Sequence, residues 1–413
     1  MPPRVLIIGA GVAGSTLATL LSPHASSILL IDRSASQQTA GQGIDIEVPA
    51  LDIVTNMGLL DAVKAKTTRE EGAAVVDEQN RACGTFDVAD GGVTLTRSIE
   101  IMRGDLVEVL LEKVRGCANV EIRFETGVSG LRQSEKKVFV ELQGKNDRET
   151  TTEEFDIVVG ADGVNSRARK LALGSSDKLK CLKPVGCFIA FFSIKSLPQD
   201  WPRARLCQFP GRRTLTIRPH GEQSPISSVY MGQFKDTNPA LIAAQAERDN
   251  GKAKAAFADL FQGLGWETKR VVEEMLKSDN FYFDRLMQVK LAKWYEGRVV
   301  LLGDAAYAPS PLTGKGTALA ILGAYVLAQE VARKQDDMSG AFEAYEKRLR
   351  RYVEDAQNIP LYGYAPYLLN PESSWGIWLF RTIASFVSWS GLAKLLPDIK
   401  SAEFDLEIEK GKG

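Results

Sequence analysis

Histidine is almost absent from this chain: His24 and His220 are the only two in 413 residues. That excludes a histidine-rich metal centre, and no metal site is expected. Imidazole catalysis can rest only on His220, because His24 lies in the loop before the second predicted strand. Cysteine is also scarce. Cys83, Cys117, Cys181, Cys187 and Cys207 are odd in number and contain no C-x-x-C pair. This argues against a zinc site or a disulfide framework and for a reducing compartment, expected to be the cytoplasm. Neither sign of charge dominates: 51 basic and 52 acidic residues leave a formal charge of −1, which offers nucleic acid no electrostatic footprint. Long apolar runs are missing too. In the aromatic tail only twelve uncharged residues separate Arg381 from Lys394, too few to span a bilayer. A helical layer packed on the body is the first expectation there, and weak contact with a membrane surface is the second. The last residues, EIEKGKG, are expected to fray.

What is present is an ordinary globular composition, 44% hydrophobic and 25% charged, in a chain long enough to bury a large core. Its organising stretch is RVLIIGAGVAGSTLATLL, residues 4–21. An apolar β-branched run, Val5 to Ile8, leads into Gly9, Gly11 and Gly14 spaced as G-x-G-x-x-G, and then into a helix whose buried face carries Leu17, Leu20 and Leu21. Gly9 permits the tight turn, Gly11 lets a pyrophosphate approach the backbone, and Gly14 lets helix and strand pack closely. A second strand, Ser27 to Ile31, ends in Asp32, roughly twenty residues on, where an acid would bond an adenosine ribose. The apolar start has no small-residue cleavage site, so it reads as the first strand and not as a leader.

Further along, GQGIDIE at Gly41 to Glu47 reads as a loop returning toward the cofactor, and residues 50–64 as one helix. Strand-like pieces run from Ala73 to Leu95. Arg103 opens a helix whose stripe is Leu106, Val109, Leu110 and Val114. A cation there opposes the helix dipole, which makes better sense if Arg103 meets an anion or a ligand carbonyl. FDIVVGADGVNSRARK is a buried strand ending in Asp162 and Gly163 before a basic helix start. From Cys187 to Phe234 aromatic and β-branched stretches predict an antiparallel sheet, one face of which could wall a cavity. Residues 239–277 are helical, with Asn238 and Pro239 as the start signal. Finally, strand Val299 to Leu302 ends at Gly303 and Asp304, a proline-rich loop follows, and a second glycine-rich helix start offers free N–H donors.

Taken together, GAGVAG, GADG and LLGDAAYAPSPLTGKGTALA, in this order over roughly residues 4–350, resemble the motif set of the single-component FAD-dependent aromatic hydroxylases, the para-hydroxybenzoate hydroxylase class. The resemblance is strongest to the tetracycline-degrading flavin monooxygenases. It implies an α/β chain with a Rossmann-like FAD-binding domain on a parallel sheet, an antiparallel-sheet substrate domain and a C-terminal helical layer. The FAD-binding domain is expected over residues 1–72, 96–180 and 286–340, the substrate domain over 73–95 and 181–285, and the helices over 341–413.

The resemblance also implies roles. Gly9, Gly11, Gly14, Asp32 and Arg33 would hold the ADP half of FAD, and Arg103 would contact the cofactor between its halves. Asp162 belongs to a motif serving both FAD and nicotinamide, and Asp304 would bind the ribityl and pyrophosphate region. The loop residues Pro311, Gly314, Lys315, Gly316 and Thr317 would lie against the flavin ring, with Gly43 and Asp45 near its redox edge. Lys315 departs from the family, which prefers small, amide or apolar residues there; it either stabilises charge on reduced flavin or faces solvent. Catalytic candidates are Asp45, Arg212 and Tyr230, and substrate candidates are Arg212, Arg213, Tyr230, Met231 and Pro311. For Arg212, Arg213 and Met231 a second reading stands beside this one, with the arginines at the surface and Met231 in the core.

The implied reaction uses NADPH or NADH to reduce FAD, forms a flavin hydroperoxide from molecular oxygen, and inserts one oxygen atom into an aromatic or polyketide-like small molecule. Hydroxylation is the leading expectation. Epoxidation, Baeyer-Villiger insertion and an FAD oxidoreductase without oxygen transfer remain alternatives.

Overall fold

The computed structural model describes residues 1–35, 43–68, 70–87, 99–144, 150–174 and 180–392. Gly41 and Gln42, residues 88–95 of the 73–95 segment and the last residues of the tail lie outside them. Two large sheets dominate the architecture. The first has six strands in the order Tyr295–Glu296, Val299–Leu301, Ile157–Gly160, Arg4–Ile8, Ser27–Ile31 and Val120–Arg123. All neighbours are parallel except the first pair at the edge. Its strands are near-continuous apolar runs because helices cover both faces, and Val5, Leu6, Ile7, Val158, Val299 and Val300 are fully buried.

The second sheet has seven strands in the order Tyr282–Val289, Leu182–Lys195, Ile226–Gln233, Arg213–Pro219, Ala204–Phe209, Gly72–Val76 and Ala82–Asp87. It is antiparallel apart from the pairing of Ala204–Phe209 with Gly72–Val76. Alternation along its strands sends Leu215, Ile217, Val229, Met231, Phe188 and Phe192 to one face, where they pack on the helices Pro239–Glu247, Asn250–Phe261 and Thr268–Lys277. The first of these helices starts where Asn238 Oδ1 accepts the N–H groups of Ala240 and Leu241. The opposite face looks toward the parallel-sheet body. A small three-stranded sheet, Thr126–Gln133, Val138–Gly144 and Thr151–Phe155, and a two-stranded ribbon, Gly43–Asp45 with Glu100–Met102, are the other sheets among the described residues.

The structure differs from the sequence expectation in three places. Residues 50–64 form two helices, Ala50–Asn56 and Leu60–Ala65, broken at Gly58, whose φ of +72° ends the first. The strand Tyr282–Val289 carries the antiparallel sheet beyond residue 285. The helix Met338–Ala356, expected in the C-terminal layer, packs on Gly316–Arg333 of the third cofactor segment beside the parallel sheet. The C-terminal helix Ser374–Ser390 instead lies along the edge strand Ala82–Asp87.

Candidate functional site

Three backbone turns converge at the carboxyl ends of the parallel strands. At the first, Gly9 has φ +110°, and a Cβ there would stand 2.4 Å from the Ala161 carbonyl oxygen. A Cβ on Gly14 would stand 1.9 Å from the Gly9 carbonyl oxygen, so both positions need glycine for packing. Gly11 differs: no described residue lies within 4 Å of its Cβ position, and as N-cap of the helix Val12–Leu21 it is served by no described side chain. The open cradle at this helix start fits a pyrophosphate.

Asp32 holds this turn in place. Its carboxylate accepts the N–H of Ala10 and that of Ser34, each at 2.9 Å, while Arg33 beside it is exposed. The second turn is GADG. Asp162 accepts from Ser166 Oγ (2.5 Å), Arg167 N (2.6 Å) and Ala168 N (3.1 Å), so it serves first-turn N–H groups of the helix Arg167–Ala172, whose N-cap Ser166 accepts the N–H of Arg169. From that helix the buried Arg169 donates to the Ala305 carbonyl at 2.8 Å, fastening the second turn to the third.

At the third turn Gly303, φ +61°, approaches the first helix so closely that a Cβ would lie 2.9 Å from Ala13 Cβ. Asp304 follows. Burial raises its carboxyl pKa, and the positive charge of Arg103 opposes that shift. Gly316, the first residue of the helix Gly316–Arg333, is adjacent: its Cβ position is 3.9 Å from Asp304 Oδ1. Two helix N-termini, one acid and one arginine thus share a corner.

Between them runs the loop Pro311–Thr313, with Gly314 at φ +67°, Lys315 at the N-cap of the long helix, and Thr317 in its first turn. Leu312 carries the loop onto the front face of the antiparallel sheet, packing against the cluster of Cys187, Phe234 and Leu286, which Val185 and Ile189 also join. Pro311 stands exposed at the tip.

On that front face an aromatic row crosses three strands. Tyr282, Phe191 and Tyr230 are cross-strand partners, with Phe191 edge-on to Tyr230 at 5.1 Å and stacked on Tyr282 at 6.4 Å. The Tyr282 end senses the charges of Arg103 and Asp304. At the Tyr230 end, the Gly43 backbone N–H donates to Tyr230 Oη at 2.8 Å and the Arg218 guanidinium lies over the ring at 5.8 Å. Burial raises the pKa of this phenol, so it stays protonated.

Arg218 also bridges two buried acids. Its Nη2 donates to Glu70 Oε2 and to Glu100 Oε2, both at 2.7 Å, and its Nε donates to Glu70 Oε1 at 3.2 Å. These carboxylates keep Arg218 charged against the effect of burial. Glu100 is pushed up to about 7, first by burial and then by Glu70 and Asp45, with Arg218 opposing. Asp45 pairs with Glu100 across the two-stranded ribbon. His220, two residues beyond Arg218, bonds Ser228 Oγ at 2.7 Å, and burial lowers its pKa, so the imidazole is neutral near neutrality.

The expected substrate residues separate. Tyr230 faces the row, whereas Met231, one residue on, points to the other face and is fully buried among Leu215, Ile217 and the covering helices. The expectation that Met231 walls the pocket is corrected by strand alternation. Arg212, with φ +59°, donates to the Tyr367 carbonyl at 3.0 Å and lies over the Tyr367 ring. Arg213 donates to the carbonyls of Pro210 (2.7 Å) and Leu260 (2.5 Å). Both arginines fasten the hairpin to neighbouring segments, and neither is brought to the aromatic row. Arg218, Glu70, Glu100, Phe191 and Tyr282 were missed. The alternation of RRTLTIRP held a signal, since Arg218 shares the parity of Thr214 and Thr216 and not that of the core residues Leu215 and Ile217.

This geometry agrees with the comparisons. Residues 3–360 match the family model described as FAD binding domain. The chain belongs to this family of FAD-binding flavoproteins. It is 38% identical over 401 residues to "Monooxygenase CTB7" of Cercospora beticola, covering 95% of this chain and 94% of that one. It is 30% identical over 410 residues to "FAD-dependent monooxygenase asL4" of Sarocladium schorii, covering 92% of each. Among solved structures it is similar to tetracycline destructase Tet(51), at 27% identity with a TM-score of 0.76, covering 94% of this chain and 97% of that one. The protein is therefore a flavin-dependent monooxygenase using FAD. In this flavoprotein the open Gly11 cradle and the Gly303–Asp304 corner fit the cofactor's phosphates and its sugar or ribityl hydroxyls. The first turns of Val12–Leu21 and Gly316–Arg333 would supply N–H donors and positive dipole ends.

Proposed function

We propose that this monooxygenase hydroxylates an aromatic or polycyclic, polyketide-like small molecule, taking electrons from NADPH or NADH and one oxygen atom from O2. The balance is substrate, O2, NAD(P)H and a proton in, and hydroxylated substrate, NAD(P)+ and water out. The observation that carries the reading is the Tyr282–Phe191–Tyr230 row, facing the loop of Leu312 and ending at the Arg103–Asp304 corner. A planar apolar molecule fits over such a surface, and the FAD bound at that corner supplies oxygen activation.

The chain's own part is to place and enclose. Phe191 and Tyr282 offer ring faces. Tyr230, its oxygen already accepting from Gly43, presents a hydroxyl proton that no described residue accepts, directed to a carbonyl or hydroxyl oxygen of the substrate. Asp45 and Pro311 are the further contacts proposed at the site. The loop Pro311–Thr313 restricts water, and the N-terminus of Gly316–Arg333 stabilises negative charge beside it. Fungal relatives named monooxygenases agree with a place in secondary metabolism. The free thiols of Cys83, Cys117, Cys181, Cys187 and Cys207 agree with the cytoplasm. The test is NADPH oxidation by the yellow holoprotein with a panel of phenols and polyketides, followed by mass spectrometry. Stimulated oxidation with a product one oxygen heavier supports the reading. Oxidation that yields only hydrogen peroxide with every compound overturns it.

The proposal includes weak contact with a lipid surface. Among the described residues no helix is long and apolar enough to cross a membrane. Along Ser374–Ser390, however, only Ile377 and Ala384 are buried, and Trp375, Trp378, Ile383, Phe386 and Trp389 are exposed. No acid interrupts the sequence from Ser373 to Pro397, and Arg381 is turned inward onto Glu78 at 2.9 Å. An uncharged, tryptophan-rich outward face fits the interface of a bilayer. Co-sedimentation with phosphatidylcholine–phosphatidylglycerol vesicles, lost in W378S/W389S, is the expected result. A concentration-dependent dimer with no vesicle binding would assign the face to a second copy instead.

A further inference from the structure

Glu70, Glu100 and Arg218 form a buried bridge that the oxygenation reading does not use. Their side chains are 2%, 4% and 14% exposed, and they come from three separate segments. Glu70 precedes the strand Gly72–Val76, Glu100 opens one strand of the ribbon, and Arg218 lies near the end of Arg213–Pro219. The bridge therefore clamps the ribbon to the antiparallel sheet. The ribbon is shaped for it: a Cβ on Gly43 would stand 2.3 Å from Glu100 Oε1. The same Gly43 holds Tyr230 through its N–H, so Glu100 sits behind the contact that orients the substrate-facing phenol.

Among the described residues, the groups facing Glu100 are Arg218 from the sheet, Glu70 beside it, Asp45 opposite it on the ribbon, and Tyr230 from the next strand. With Glu70 and Glu100 both ionised, two negative charges share the Arg218 guanidinium. A proton on one carboxyl removes most of that imbalance, and leaves Arg218 and Glu70 as a balanced pair.

We propose that Glu100 is a proton-holding positioning residue: neutral, it keeps the Gly43–Tyr230 contact and the charge at the substrate face suited to an oxygen bearing negative charge, and ionised, it repels one. The proposal rests on the site reading above and deepens it, because it assigns substrates that present an anionic or strongly polarised oxygen at Tyr230. Burial and the neighbouring acids give Glu100 the means to titrate in the neutral range.

Two measurements on the holoenzyme test this. The first needs no turnover: an infrared titration of protonated carboxyl groups between about pH 5 and about pH 9. A component lost near neutrality in the wild type is expected, absent in E100Q and shifted to lower pH in E70Q, where Arg218 is left to Glu100 alone. The second is binding of 1-hydroxy-2-naphthoate, an anion throughout this range, against neutral 2-naphthol, read by flavin fluorescence. Across the inflection the wild type should lose about tenfold in affinity for the anion and little for the neutral compound, and E100Q should lose neither. A merely structural Glu100 would leave both inflections where they are. Identical carboxyl titrations in wild type and E100Q overturn the proposal. So does an unchanged pH dependence of anion binding in E100Q. If the carboxyl component behaves as expected but no compound is ever oxygenated, the proton-holding role stands and the functional reading falls.

Discussion

The backbone N–H of Gly43 donates to the hydroxyl oxygen of Tyr230 at 2.8 Å, joining residues 187 positions apart. This bond ties the ribbon of the FAD-binding body to the aromatic row of the antiparallel sheet. It fixes the phenol's direction, since the oxygen's accepting side is occupied and its proton points elsewhere. Y230F removes both functions. We expect FAD content and thermal stability close to wild type and kcat/KM reduced roughly ten- to a hundredfold, checked by steady-state kinetics on a substrate with a phenolic or carbonyl oxygen.

Gly11 and Gly14 are three residues apart and should fail differently. In G14A the new methyl meets the Gly9 carbonyl, so the protein should be strongly destabilised or insoluble. G11A has room for the methyl in the protein itself, so its apoprotein should fold while FAD affinity falls, because the methyl occupies the phosphate approach. Circular dichroism melts and the flavin-to-protein absorbance ratio separate the two.

Asp304 is held in a corner with Arg103 and Gly316. D304A should be folded and lose FAD on purification. A fully yellow, active D304A would remove Asp304 from the cofactor site.

Stability should depend on pH through Glu100. Its folded pKa lies near 7 against an ordinary value of 4.5, so the folded state holds the proton more tightly than the unfolded chain. The contribution is complete below about pH 4.5 and is lost as pH rises through 7, amounting to at most roughly 3 kcal/mol. Urea unfolding should show the wild type losing stability over this window relative to E100Q. Equal slopes would show that Glu100 is not protonated in the fold.

Met231 is fully buried behind the sheet. M231A should cost about 2–5 kcal/mol of stability through its cavity, with substrate affinity per folded molecule little changed. A large change in KM without loss of stability would return Met231 to the pocket.

The cofactor half of the molecule was legible in the sequence because its signals are local. Strand, glycine turn and helix fall within residues 4–21, and the turns at Gly163 and Gly303 repeat the pattern of a buried strand followed by a polar cap. The proposed substrate face was not. The Arg218 bridge joins residues 118 and 148 positions apart, and nothing near Glu70 or Glu100 in sequence distinguishes a buried acid from a solvated one. Arg212 and Arg213 drew attention as a pair on a turn, whereas the arginine that reaches the site lies five residues on, on the strand face opposite the core. Among the described residues of the tail, no helix is long and apolar enough to cross a membrane. The tail's extensive exposed face became visible only once the helix was placed against an edge strand that covers so little of it.

The proposed reaction transfers one atom of molecular oxygen to an aromatic substrate lying on the Tyr282–Phe191–Tyr230 row. The most direct measurement is turnover under oxygen-18 gas with NADPH and the compound that best stimulates oxidation, with the product analysed by mass spectrometry. The expected product carries a single heavy oxygen, is formed in the wild type and is sharply reduced in Y230F. A product with oxygen derived from water, or oxidised with no oxygen gained, would contradict it.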